Sequence, residues 1–200
     1  MSARVLILFA HPALQKSRAN VRLLAAARDL EGVTLHDLYE EYPTFQIDVA
    51  REQALLLKHE VVVLQHPFFW YSCPALLKEW LDLVLEHGFA YGPGGTKLAG
   101  KSLLSAVTTG GPEEAYSHTG HNHFTLRELL APFEQTARLC GMNWLPPFAI
   151  HGTHRSQSSE FETHAADYRR ILGALTAGKI SPSTLDTLPR LNANLGALGL

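Results

Sequence analysis

Three short apolar runs constrain this chain more than anything else in it: Val5-Leu6-Ile7-Leu8-Phe9, Val61-Val62-Val63-Leu64 and Leu103–Thr109. Each is shorter than a core helix and lacks the polar alternation of a strand with one wet face. Each is followed by a turn and then a helical pattern, so each reads as a parallel strand buried on both faces. Such strands need a crossover helix apiece, and that leaves few architectures.

Two shorter segments, Val33–Leu35 and Trp144–Ile150, complete a set of five strands, and helices alternate with them throughout. Ser17 is a helix N-cap ahead of Leu23, Leu24 and Ala27, with Gly32 stopping that pattern. A loop surrounds Tyr42-Pro43, and Asp48 caps a second helix carrying Ala54, Leu55 and Leu57 toward Lys58. Pro74 opens a third, with Leu76, Leu77, Trp80, Leu81, Val84 and Leu85 on one side and Gly88 at its end. After the turn Tyr91–Gly95 and the fourth strand, one helix runs from Leu126 through Leu129, Leu130, Phe133 and Ala137 to Gly141. A last helix covers Glu160–Ala177. Strict alternation without repeats or linker predicts one α/β domain over residues 1–178, with residues 179–200 as a C-terminal tail. The expected fold is a flavodoxin-like three-layer sandwich around a five-stranded parallel sheet of order 2-1-3-4-5.

Composition narrows the function. Seventeen basic and nineteen acidic residues leave a net charge of −2 without a basic block, which gives no reason to propose nucleic acid as a partner. The two cysteines, Cys73 and Cys140, have no C-x-x-C spacing and read as free thiols in a reducing compartment. The apolar start is too brief for a signal peptide and no run is long enough to span a membrane, so a cytoplasmic location is expected.

In the order 2-1-3-4-5 the loops after strands 1, 3 and 4 converge at one switch point, where open α/β sheets bind ligands. The first loop runs from His11 to the helix start Ser17-Arg18-Ala19-Asn20, whose free amides, hydroxyl, cation and amide side chain suit a phosphate. The second holds Pro67 and four consecutive aromatics, Phe68, Phe69, Trp70 and Tyr71, a rigid flat wall. The third holds Thr108-Thr109-Gly110-Gly111, where glycines admit a planar ligand close to main-chain donors, followed by Tyr116 and His121, which can donate to developing negative charge.

Other motifs carry less. Gly95–Ser102 fits G-x-x-x-x-G-K-[ST], but a phosphate-binding P-loop follows a strand and opens a helix, and this run does the reverse. His118, His121, His123, His151 and His154 lack acidic or thiol partners at ligand spacing, so no metal is expected. No G-x-S-x-G elbow is present, and Cys73 reads as a packed thiol.

Ala10-His11-Pro12 with Ser17 and Asn20, Gln65-His66-Pro67 with Trp70-Tyr71 and Pro74–Lys78, and Thr108–Gly111 with Tyr116 together resemble the NAD(P)H:quinone oxidoreductase family. Within it the chain is most similar to the bacterial ancillary proteins of glutathione-regulated potassium efflux, through Tyr39–Pro43, Ile47-Asp48, Ser72–Asp82 and Gly92-Pro93-Gly94-Gly95. The resemblance spans roughly residues 4–175. It implies a homodimer with a flavin near the subunit interface, and two-electron ping-pong transfer from NAD(P)H through the flavin to a quinone. His11 and Ser17–Asn20 would then hold the flavin's phosphate side, Phe68–Tyr71 its isoalloxazine, and Thr108–Gly111 its pyrimidine edge. Tyr116 and His121 would steady the reduced ring. FMN is expected rather than FAD, since FAD-using members carry a substantial C-terminal extension. Glu113-Glu114, where the family has small residues, would disfavour an anionic substrate such as a phosphorylated nicotinamide. The alternative implied by the ancillary branch is a regulatory flavoprotein that activates a potassium-efflux transporter, peripheral on the inner face of the membrane.

Overall fold

β1 (Val5–Phe9) is an interior strand of the sheet, with all five residues apolar and fully buried. It pairs in parallel with β2 (Val33–Asp37) on one side and β3 (Val61–Pro67) on the other, with Val5 level with Val33 and Val61. β4 (Ser102–Thr108) follows on β3 and β5 (Asn143–Trp144) on β4, so the order is β2-β1-β3-β4-β5, the order expected from the sequence. The computed structural model describes residues 2–180, 188–193 and 195–200.

Strand alternation divides the core in two. Leu6, Leu8, Val62, Leu64 and Val107 face α2 (Leu38–Glu41), α3 (Val49–Leu57), α4 (Ala75–Val84) and α6 (Ala131–Leu139). Val5, Ile7, Phe9, Val63 and Leu104 face α1 (Arg18–Ala27) and α7 (Ser158–Thr176), against Leu23, Phe161, Tyr168 and Ile171. Each such side chain contributes about 1.5–3 kcal/mol of burial, so both helical layers are held chiefly by these stripes.

Departures from the sequence pattern have local causes. β2 runs on through His36-Asp37 and β3 through Gln65-His66-Pro67, because His36 finds a buried partner in Glu52 and Gln65 finds buried partners in Asn20 and Tyr168. Asp37 then caps α2, accepting the Tyr39 and Glu40 amides at 3.0 and 3.3 Å, so a helix turn stands before the loop at Tyr42-Pro43. The helix expected over 126–141 breaks at Leu130 into α5 (Leu126–Leu129) and α6, since Pro132 cannot donate within a continuing helix but suits a first turn. The fifth strand is two pieces, β5 (Asn143–Trp144) and β6 (Phe148–Ile150), both paired with β4 and separated by Pro146-Pro147, which have no N–H for a ladder. The sheet is therefore six-stranded. Beyond α7, Leu191 is buried in the core and its amide donates to Pro147 O at 2.8 Å. Asn192 engages both backbone groups of Ala149, at 2.8 and 3.1 Å, and so closes the open edge of β6.

Candidate functional site

Two cavities, of about 490 and 460 Å³, lie side by side along the carboxyl edge of the sheet, and Phe68 and Trp70 border both. The loops after β1, β3 and β4 meet there, as their order requires.

The larger cavity is a cradle at the start of α1. Ser17 Oγ accepts the Asn20 amide at 3.1 Å, and among the described residues the Arg18 and Ala19 amides have no intramolecular acceptor. His11 at the end of β1 accepts the Ala13 amide on Nδ1 at 3.1 Å, which leaves Nε2 as its donor. Burial pushes its pKa down, and the ring sits against Phe69. Lys16, Thr108, Gly110, Thr153 and His154 complete the lining. Gly110 leaves room for the His154 ring to sit over the cradle: a Cβ there would lie 2.4 Å from His154 Nε2. Unpaired amides, a hydroxyl, two imidazoles and a lysine around one concavity fit a phosphate ester.

Two expected ligands of that phosphate face elsewhere. Asn20 is fully buried behind the cradle, where its amide donates to Ser17 Oγ at 3.2 Å and Thr108 Oγ1 at 3.0 Å. It accepts from Gln65 at 3.4 Å, and Gln65 accepts the Tyr168 hydroxyl at 3.0 Å. Asn20 therefore ties the loop after β1 to β4 and does not line the cavity. Arg18 borders the cavity, yet its guanidinium donates to Ser156 O and lies 5.0 Å from the Phe161 ring centroid.

The aromatic stretch forms a 3₁₀ turn over Phe69–Tyr71, with Trp70 at φ 49° and Tyr71 at φ 60°. Left-handed backbone in two bulky residues costs roughly 1–3 kcal/mol each. The turn is held by the Ser72 amide on Phe69 O at 3.0 Å and by the Tyr71 hydroxyl on Asn122 at 3.2 Å. Its result is an indole 93 % exposed on the rim between the cavities.

Tyr116 and His121 line the smaller cavity together with Phe68, Trp70, Tyr71 and Arg155. Tyr116 packs on Phe68 and on His151, at ring distances of 6.2 and 5.3 Å. Burial pushes the Tyr116 phenol above its ordinary range, so at neutral pH it is a donor. His151 is pushed down to about 4 by burial and by the Arg190 cation, which makes it a neutral ring. Thr109 is buried and lines neither cavity; its hydroxyl donates to Gly111 O at 2.9 Å and meets His151 Nδ1 at 3.2 Å. Gly111 does reach the smaller cavity, and among the described residues the Gly110 and Gly111 amides have no intramolecular acceptor.

The loop His151–Arg155, between β6 and α7, was not among the expected site loops, yet it supplies Thr153 and His154 to one cavity and Arg155 to the other. Its signal was topological: it too follows the carboxyl end of a parallel strand. Gly95–Ser102 runs directly into β4 with no helix after it, which deprives the P-loop pattern of its helix N-terminus.

A family model for the flavodoxin-like fold matches residues 3–172. The chain belongs to the flavodoxin-like fold family. It is 52% identical over 180 residues to the glutathione-regulated potassium-efflux system ancillary protein KefG of Escherichia coli, covering 90% of this chain and 96% of that protein. Among solved structures, general stress protein 14 of Treponema denticola, crystallised with FMN, superposes with TM-score 0.82 at 40% identity, covering 86% of this chain and 99% of that one. An NADPH-quinone reductase from P. pentosaceus superposes with TM-score 0.77 at 34% identity, covering 84% and 96%. The resemblance read from the loop motifs is thus shown over most of the chain. Among the described residues no helix is long and apolar enough to cross a membrane.

Proposed function

We propose that this chain is an FMN-dependent NAD(P)H:quinone oxidoreductase, cytoplasmic and homodimeric. The observation that carries the proposal is the pair of cavities joined at Phe68 and Trp70, one a phosphate cradle and the other a flat aromatic pocket with phenol and imidazole donors. A bound flavin supplies reversible two-electron hydride transfer. Ser17, the Arg18 and Ala19 amides, His11 and His154 would hold its phosphate, and Phe68 and Trp70 its ring. The Gly110 and Gly111 amides would donate to its polar edge. Tyr116 and His121 would donate to negative charge that builds during the reaction, while the Phe68, Trp70 and Tyr71 wall would hold a nicotinamide, then a quinone, flat in the same pocket.

Losing one such donor costs about 2.7–4 kcal/mol of transition-state stabilisation where the analogous oxyanion donors have been removed. Tyr116→Phe with His121→Gln is therefore expected to slow both half-reactions in stopped-flow measurements, by a hundredfold or more on that scale. Unchanged half-reactions would remove these two residues from the mechanism.

The 52% identity to KefG favours a second reading, a flavoprotein subunit that binds and activates a potassium-efflux transporter at the inner face of the membrane. Co-purification with a transporter, and flavin that binds but is not reduced by either nicotinamide, would favour it over the enzyme.

A further inference from the structure

We infer that the cavity bounded by Tyr116 takes a planar substrate bearing an anionic group, and that Arg155 is the residue that recognises that group. The inference deepens the reductase reading and rests on it for the substrate's planarity.

The Glu113-Glu114 pair predicts an acidic pocket from sequence, and the fold reverses that sign. Neither glutamate lines the cavity, whereas Arg155 does. Glu113 is exposed and ion-paired with Arg190. Arg190 is held in place by its neighbours, Leu191 in the core and Asn192 on Ala149. The charge of Glu113 is thereby neutralised from a segment that lies beyond the family match at residue 172. Glu128, in α5, is engaged by His118 and by its helix's cap residue Thr125. Glu114 remains as the opposing charge, with no ion pair among the described residues.

Arg155 stands apart from most of the other arginines. Arg4, Arg22, Arg51, Arg138 and Arg190 are each paired with a glutamate. The Arg155 guanidinium has no hydrogen-bond or ion-pair partner among the described residues, while its backbone is fixed by the bond from its amide to Gly152 O at 2.9 Å. A guanidinium is a planar fork of donors matched to phosphate, sulfonate or carboxylate oxygens. Phe68, Trp70, Tyr71 and Tyr116 around it suit a flat ring. Two substrates bring that chemistry: a nicotinamide nucleotide with a 2′-phosphate, and a quinone with an acidic substituent.

The test uses the FMN-loaded protein and its Arg155→Gln and Arg155→Lys variants. The kcat/KM ratios are measured for NADPH over NADH and for a naphthoquinone sulfonate over its neutral parent. Arg155→Gln is expected to lower one ratio about fivefold, the range of a partly solvent-screened charge pair, with Arg155→Lys retaining part of it. A fall in the first ratio identifies the nucleotide phosphate, and a fall in the second identifies the acceptor. Rising salt should shrink the wild-type ratio toward that of the Gln variant. Arg190→Gln, which frees Glu113, should move the same ratio in the same direction by about twofold. If both ratios are unchanged in Arg155→Gln, the inference is overturned. If the wild type has no reductase activity, the reductase reading fails separately. Titration with 2′,5′-ADP against 5′-AMP then decides: equal affinities in wild type and Arg155→Gln overturn the inference, and a preference for 2′,5′-ADP lost in the variant supports it.

Discussion

Gly110→Ala separates what holds the fold from what holds the ligand. The added methyl would sit 2.4 Å from His154 Nε2 and 2.6 Å from Cδ2, where relaxed contact needs about 3.5 Å. The His154 ring must therefore retreat by about 1 Å. It can do so at little expense, because His154 is exposed and the backbone at Gly110 is not in the left-handed region. Reduced freedom of the unfolded chain offsets part of any strain, by about 0.4–1 kcal/mol. Thermal unfolding of the flavin-free protein should shift by no more than about 2–4 °C, the equivalent of 1 kcal/mol at this size. Flavin affinity should fall much further. Moving the imidazole off the cradle removes a hydrogen bond to an anion worth about 1.5 kcal/mol, roughly tenfold in Kd. Fluorescence titration with FMN measures this in wild type, Gly110→Ala, His154→Ala and the double variant. In the His154→Ala background the ring is gone and every other atom beyond the chain neighbours lies 3.5 Å or more from the methyl, so its tenfold penalty should nearly vanish. An equal penalty in both backgrounds would refute the reasoning, as would a large loss of stability without flavin.

Two further predictions rest on other parts of the structure. Trp70→Gly relieves a left-handed bulky residue, so denaturation should show no loss of stability, while removal of the indole from the rim lowers turnover; a loss of more than 1 kcal/mol would show the turn unstrained. Glu52→Gln disturbs a buried carboxylate that accepts from His36 at 2.8 Å, Tyr42 at 2.6 Å and Trp80 at 2.7 Å. Burial pushes the Glu52 carboxyl up, but these three donors pull it down further, so it lies below its ordinary 4.5. Its stabilisation is complete above that value and is lost as pH falls below it through the folded pKa. The variant should be less stable by about 2–4 kcal/mol at pH 7, and the gap should narrow on acidification below pH 4.5; a gap independent of pH would contradict the assignment.

The parallel sheet was legible because Val5–Phe9 and Val61–Leu64 are apolar on both faces, a pattern with one structural solution. The polar ends of β2 and β3 were not, since His36 and Gln65 stay in strand only through partners distant in sequence: Glu52 for one, Asn20 and Tyr168 for the other. Proline explains both broken elements, and in each case the apolar pattern outweighed the missing N–H of Pro132 or Pro146-Pro147. At the site, the aromatics, Tyr116, His121 and the glycines announced themselves by type. Asn20 looked like a ligand by type too, but its burial is a tertiary fact. Arg155 carried no local signal, because its meaning depends on where Glu113 turns and on Arg190 arriving from the end of the chain.

The central claim is that the joined cavities hold a flavin that a nicotinamide can reduce. The most direct measurement is the absorption spectrum of the purified protein with added FMN, recorded anaerobically before and after NADH or NADPH and again after a quinone. A bound-flavin spectrum that bleaches with the nicotinamide and returns with the quinone is the predicted result. Failure to bind FMN at all would contradict the reading of all the loops at the carboxyl edge.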